Sequence, residues 1–248
     1  MQVIVDGLLA NYSKQGEGKK ILLLHGWGDS IRGLSPFIMQ LSKNYQVLAV
    51  DLPGFGDTQP PNEAWGLNRY ADFVKAFTTK INYSPDIIIG HSNGGAIAIR
   101  GLTSGLTADK LVLIGSAGIR GEYKGRIKII RYLTKIAKLI TKLLPAGAQK
   151  RLRQKFYGAI GSDMLVAEHL QDSFKLIIND DVREDAGVID VKSLLIYGDQ
   201  DTSTPLKYGQ LLKSKIKNSN LIVVKGGSHW LPTENTQQIV KLIKEFVK

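Results

Sequence analysis

The chain has 248 residues, 43% of them apolar, with 33 lysines and arginines against 22 aspartates and glutamates and no cysteine. That length supports a full hydrophobic core in one α/β domain or two small ones, and the lack of thiols excludes disulfide staples, thiolate metal sites and a cysteine nucleophile. The net charge of +11 is not spread evenly: twelve basic residues between Ile119 and Ile160, opposed only by Glu122, carry all of it, and the rest of the chain holds 21 of each sign. Any argument from charge to a partner therefore concerns that one segment.

At the N-terminus, "MQVIVDGLLANYSKQGEGKK" lacks the basic start and long apolar run of a secretory signal. No apolar stretch reaches the roughly 18 residues of a membrane span, so a cytoplasmic protein is expected. Val3 to Val5 and Leu8 to Tyr12 alternate weakly around Asp6-Gly7, a strong turn dipeptide, and predict an antiparallel hairpin. Apolar runs follow at Ile21 to Leu24, Val47 to Val50, Ile87 to Ile89, Leu111 to Ile114, Leu194 to Tyr197 and Leu221 to Val224. They are continuous rather than alternating, as in strands covered on both faces, and amphipathic stretches such as Leu34 to Leu41 and Leu67 to Ile81 lie between them. The expected class is α/β, a mostly parallel sheet flanked by helices. Glycine or aspartate follows most runs, which puts the polar punctuation at the carboxyl ends of strands, where open α/β sheets bind ligands.

This rhythm breaks between Ile119 and Asp190. In "IKIIRYLTKIAKLITKLL" the residues Lys128, Arg131, Lys135, Lys138 and Lys142 recur at intervals of three and four opposite an apolar face, which predicts one amphipathic helix stopped by Pro145. Residues 119–189 are expected to form a basic helical cap inserted after strand six, over a core made of residues 1–118 and 190–248.

The chemistry is read from three places. Gly90-His91-Ser92-Asn93-Gly94 follows one apolar run and precedes a helix-like stretch, the context in which a serine hydroxyl is pushed out of a strained turn between two small residues. A serine needs a base, and of His25, His91, His169 and His229 only His229 follows a strand near the C-terminus, giving the order serine, acid, histidine. His91 is expected to pack or hydrogen-bond beneath the turn, His25 to shape the loop after the first core strand, and His169 to be surface or pocket-lining. "YGDQDTSTP" offers Asp201 as the acid, with Asp199 as second choice. The backbone N–H groups of Asn93, at a helix start, and Trp27, in "HGWG", are the expected oxyanion donors.

Together "HGWGDS", "DLPGFGDT", "GHSNGG", "YGDQDTSTP" and "GGSHWLP" resemble the serine-nucleophile branch of the α/β-hydrolase superfamily along essentially the whole chain. The resemblance implies an eight-stranded sheet with one antiparallel strand, a cap over the site, and a catalytic triad of Ser92, Asp201 and His229 with Trp27 and Asn93 as oxyanion donors. It implies esterase-like acyl transfer to Ser92, with no metal or organic cofactor. Ser92 at the elbow argues against the aspartate-nucleophile dehalogenases and epoxide hydrolases of similar fold. "GSDM" at 161–164 resembles a cap segment of bacterial esterase-like relatives more weakly.

Other features admit two readings. Gly54 and Gly56 either bring their loop to the pocket floor or form a tight turn without ligand contact; neither they nor "GEGKK" have phosphate-cradling spacing. Trp27 and Trp230 are read as lining the pocket, while Trp65 is read equally as pocket or packing. The cap lysines first read as the water-facing side of an oily lid, then as an anionic membrane contact, then as a field guiding an anionic substrate. Nucleic-acid binding ranks below these, since no aromatics interleave the basic run. The partner expected is a small ester-like substrate, with thioester or carbon–carbon bond hydrolysis as alternatives and a non-catalytic binding module as a different class; oligomeric state is open.

Overall fold

The computed structural model describes residues 1–120 and 167–248. The predicted basic helix, the "GSDM" segment and most of the expected cap lie outside the described residues. Eight strands form one sheet: β1 Gln2–Val5, β2 Leu8–Gln15, β3 Lys20–Leu24, β4 Gln46–Val50, β5 Ile87–His91, β6 Lys110–Ile114, β7 Lys192–Gly198 and β8 Ser219–Val224. Their order is β1-β2-β4-β3-β5-β6-β7-β8. β2 pairs antiparallel with both β1 and β4, and every ladder from β4 to β8 is parallel. The β1–β2 hairpin turns where predicted, with Asp6 at φ 47° and Gly7 at φ 80°, the paired positive φ values that a two-residue turn matched to strand twist requires.

Among the described helices, α1 Ser35–Leu41, α2 Leu67–Lys80 and α3 Asn93–Thr103 connect the first parallel strands. After β6 the described chain resumes with a 3-10 turn Glu168–Leu170, then α4 Gln171–Ile177 and α5 Arg183–Val188; α6 Leu206–Lys215, α7 Leu231–Glu234 and α8 Thr236–Val247 follow. Helical elements are thus inserted after strand six.

Alternate strand residues face opposite layers. Leu22, Leu24, Leu111 and Leu113 pack with Phe73, Phe77 and Ile97 of α2 and α3, whereas Ile21, Leu23, Val112 and Ile114 pack with Phe37 and Ile38 of α1 and Ile239 and Ile243 of α8. Each such side chain contributes about 1.5–3 kcal/mol of transfer free energy when fully buried. Double cover explains why the central strands read as unbroken apolar runs. β8 departs from that expectation: Leu221 and Ile222 are half-buried and Val223 is exposed, because the last strand has one neighbour and helix cover ends at the sheet's margin. Among the described residues, no helix is long and apolar enough to cross a membrane. The ends of β3, β5, β7 and β8 all open on one edge of the sheet, and the predicted site residues stand there.

Candidate active site

Ser92 links β5 directly to α3 with φ 51° and ψ −119°, a left-handed conformation rare for a residue with a side chain. The strain is held by hydrogen bonds on both sides: Ser92 N–H donates to the Ile114 carbonyl at 3.0 Å, and the Ser92 carbonyl accepts from Gly95 and Ala117. The flanking glycines are required by contact. A Cβ at Gly90 would lie 2.5 Å from the Gly94 carbonyl oxygen, and one at Gly94 would lie 2.3 Å from that of Leu24.

His229, between β8 and α7, places Nε2 2.9 Å from Ser92 Oγ and Nδ1 2.8 Å from Asp201 Oδ2. An ionised carboxylate only accepts, so Nδ1 carries the proton and Nε2 is free to accept the serine hydroxyl. Asp201 is buried, and its Oδ1 accepts the backbone N–H groups of Ser203 and Thr204 at 2.9 and 2.8 Å. Burial disfavours its charge, yet the bonds from His229 and Thr204 outweigh burial and hold the carboxyl below its ordinary pKa. It therefore stays ionised where it orients the imidazole. Asp199, the second choice, is exposed and accepts the Gly226 N–H at 2.7 Å instead.

Two supporting residues are not apparent from the sequence. Thr204 Oγ1 lies 2.8 Å from Asp201 Oδ2, 2.8 Å from the Gly115 carbonyl and 3.1 Å from His229 Nδ1. A Cβ at Gly115 would come 3.2 Å from Asp201 Oδ2. The only local signal was a hydroxyl three residues beyond the acid; Gly115 is far away in sequence.

The other histidines hold loops. His91 is buried, and its Nε2–H donates to the His229 carbonyl at 2.9 Å, fixing the base's backbone from beneath; burial, reinforced by neighbouring His229, lowers its pKa to about 4. His25 Nδ1–H donates to the Gly26 carbonyl at 2.7 Å while Nε2 accepts the Leu52 N–H at 2.9 Å, tying the loop after β3 to the one after β4. Burial pushes the His25 pKa down against that bond to Gly26. His169 is exposed and bonds the Gly54 carbonyl.

A cavity of about 310 Å³ opens over Ser92 and His229. Trp27, Ile119, Phe174, Ile177 and Ile178 give it an apolar wall, and Asn93, Asp180, Ser203, Thr204 and Tyr208 give it polar points. Trp27 lines it as expected, stacked edge-on against Phe55 at 4.8 Å. Trp230, expected to line it too, does not: it starts the turn into α7, is 47% exposed, and covers His91 and His229 from outside. Trp65 is a packing residue, buried against Tyr70 and Phe73. Gly54 and Gly56 stay out of the cavity lining; a Cβ at Gly56 would strike the Asp51 carboxylate. Among the described residues, no group of three or more histidines and carboxylates is placed to hold a metal ion.

A model of the alpha/beta hydrolase family matches residues 21–242. The chain belongs to the alpha/beta hydrolase family. Similar proteins include the AB hydrolase superfamily protein YisY of Bacillus subtilis, 28% identical to this hydrolase over 93% of its chain and 92% of the relative's. A pimeloyl-[acyl-carrier protein] methyl ester esterase of Neisseria meningitidis is 27% identical over 93% of each chain. Among solved structures, a meta-cleavage product hydrolase from Pseudomonas fluorescens superposes with TM-score 0.75 and 26% identity, over all of this chain and 97% of the other. With its aligned serine, histidine and aspartate, this hydrolase is serine-dependent.

Proposed function

We propose that the chain is a carboxylesterase acting on small, largely apolar esters through an acyl-enzyme. Ser92 Oγ attacks the ester carbonyl as its proton passes to His229 Nε2, and Asp201 stabilises the imidazolium that forms. The oxyanion is held by the backbone N–H groups of Trp27 and Asn93; neither donates to a backbone or side-chain acceptor among the described residues. The imidazolium then protonates the departing alcohol, and water, activated by the same histidine, releases the acid. The observation that carries this reading is the unbroken series Ser92 Oγ, His229, Asp201 at 2.9 and 2.8 Å on the floor of an apolar-walled cavity. A cavity of about ten water volumes suits a short acyl chain. A binding module has no need of three aligned groups on a strained elbow.

In a folded Ser92→Ala variant, turnover of short-chain p-nitrophenyl esters is expected to fall by several orders of magnitude; undiminished turnover overturns the reading. A second reading, hydrolysis of a carbon–carbon bond by the same groups, is favoured by likeness to a 2-hydroxy-6-oxo-6-phenylhexa-2,4-dienoate hydrolase of Comamonas testosteroni, 24% identical over 98% of this chain. Faster turnover of that dienoate than of any ester decides for it. We also propose that residues 119–189 form the cap. If its charge guides substrate, kcat/KM for anionic esters falls with ionic strength while that for neutral esters does not.

A further inference from the structure

Asn93 does more than offer a backbone N–H. The residue is 3% exposed and belongs to the cavity lining beside Ser92, and neither Oδ1 nor Nδ2 of its side chain meets a hydrogen-bond partner. Trp27 lines the same cavity, and its buried indole Nε1–H likewise has no acceptor. Buried polar groups are nearly always paired, and leaving one unpaired is costly. An apolar side chain at position 93 would occupy the same place without that cost. The fourth unpaired buried side-chain atom among the described residues, His91 Nδ1, belongs to a residue outside the cavity lining. Two donors and one acceptor thus stand unpaired on two residues that line the space where the substrate sits.

The character of these groups selects their ligand. Both side chains are neutral, and among the described residues the lining holds no lysine or arginine and its one carboxylate, Asp180, is paired with Arg100 at 3.1 Å, so neither polar group stands beside a counter-ion for an anion. An amide that offers both a donor and an acceptor is matched by a group that does both, and the smallest is a hydroxyl. Asn93 directly follows the nucleophile, whereas the leaving alcohol must depart beside His229, which protonates it. The group within reach of Asn93 thus belongs to the acyl part. We propose that Asn93 and Trp27 form a polar subsite that recognises a hydroxyl on the acyl chain close to the scissile carbonyl. This deepens the esterase reading and rests on it.

The test compares p-nitrophenyl 3-hydroxybutanoate with p-nitrophenyl 3-methylbutanoate, which differ only by a hydroxyl in place of a methyl. The ratio of their kcat/KM values is divided by the ratio of their hydroxide-catalysed rates to remove intrinsic reactivity. In the wild type the corrected ratio is expected to favour the hydroxy ester by about tenfold or more, since a site with unpaired polar groups discriminates against a ligand that cannot pair them. Asn93→Leu is expected to remove most of that preference and raise the thermal midpoint, and Trp27→Phe to reduce the preference by less. A corrected ratio near one in the wild type, or one that Asn93→Leu moves by less than twofold, overturns the subsite. Should Asn93→Leu fail to fold, the wild-type ratio and Trp27→Phe decide. Wild-type protein that turns over neither ester also overturns the subsite, and fluorophosphonate labelling of Ser92 then shows whether the esterase reading falls with it.

Discussion

Replacing His91 by glutamine turns a buried histidine's pKa into a measurable pH dependence of stability. The unfolded chain protonates His91 at its ordinary value of 6.5, whereas the folded chain does so only near 4, because burial and neighbouring His229 disfavour the charged ring. Between those values the unfolded state holds more protons, so stability is complete above pH 6.5 and drains away as pH falls toward 4. Inside the window the slope approaches about 1.4 kcal/mol per pH unit, and the whole displacement amounts to about 3 kcal/mol. Glutamine can still donate to the His229 carbonyl but cannot ionise. Urea unfolding followed by tryptophan fluorescence from pH 7.5 to 4.5 should show the wild type losing about 2–3 kcal/mol more than His91→Gln. His25 adds loss of the same sign to both proteins and cancels in the difference, while the depressed Asp201 carboxyl acts only below its ordinary 3.8. Parallel stability curves for the two proteins across this window would refute the reasoning.

Three further outcomes are expected. Asp201→Asn leaves the fold intact but removes the partner that fixes the His229 tautomer, and kcat for a p-nitrophenyl ester at pH 7 should fall on the order of 10³–10⁴-fold; a loss below tenfold contradicts the assigned acid. Gly94→Ala drives a Cβ to 2.3 and 2.6 Å from the Leu24 and His25 carbonyl oxygens, backbone atoms that cannot turn aside. Calorimetry should show a midpoint at least about 5 °C lower, the consequence of roughly 2–3 kcal/mol of overpacking. Arg100→Met strips the shared cation from Asp180 and Asp185, each paired with it at 3.1 Å. These groups are part-buried rather than dry, so a stability loss of about 1–3 kcal/mol by urea titration is expected, smaller in high salt.

The central strands were legible because helices on both faces demand apolar residues at every position, and β8 read less well because an edge strand relaxes that demand. Ser92 and His229 were legible because a strained elbow needs local glycines and a base needs a loop after the last strand. Asp201 is chosen over Asp199 from its place in the loop alone, since both follow the same strand, and the His229 contact bears that choice out. In the fold, the turn that aims the Ser203 and Thr204 N–H groups at one carboxylate helps to separate them. Gly115 and Thr204 support the triad through contacts between segments far apart in sequence, which no local pattern records. Trp230 misled because adjacency to His229 says nothing about which side of the chain its ring takes.

Two segments far apart in sequence, 118–120 and 180–185, meet at a stitched seam. Val182 N–H donates to the Gly118 carbonyl at 2.8 Å, and Arg120 N–H donates to Asp181 Oδ2 at 3.1 Å. Arg100, on the helix that begins just after the nucleophile, holds the second segment of that seam through Asp180 and Asp185. The two segments are thus fastened to each other and to α3, so the cavity wall at Ile119, Ile177 and Asp180 is anchored on the core side. Selectivity and reactivity are accordingly separable: loosening this seam alters the wall that meets the substrate, while Ser92, His229 and Asp201 keep their contacts.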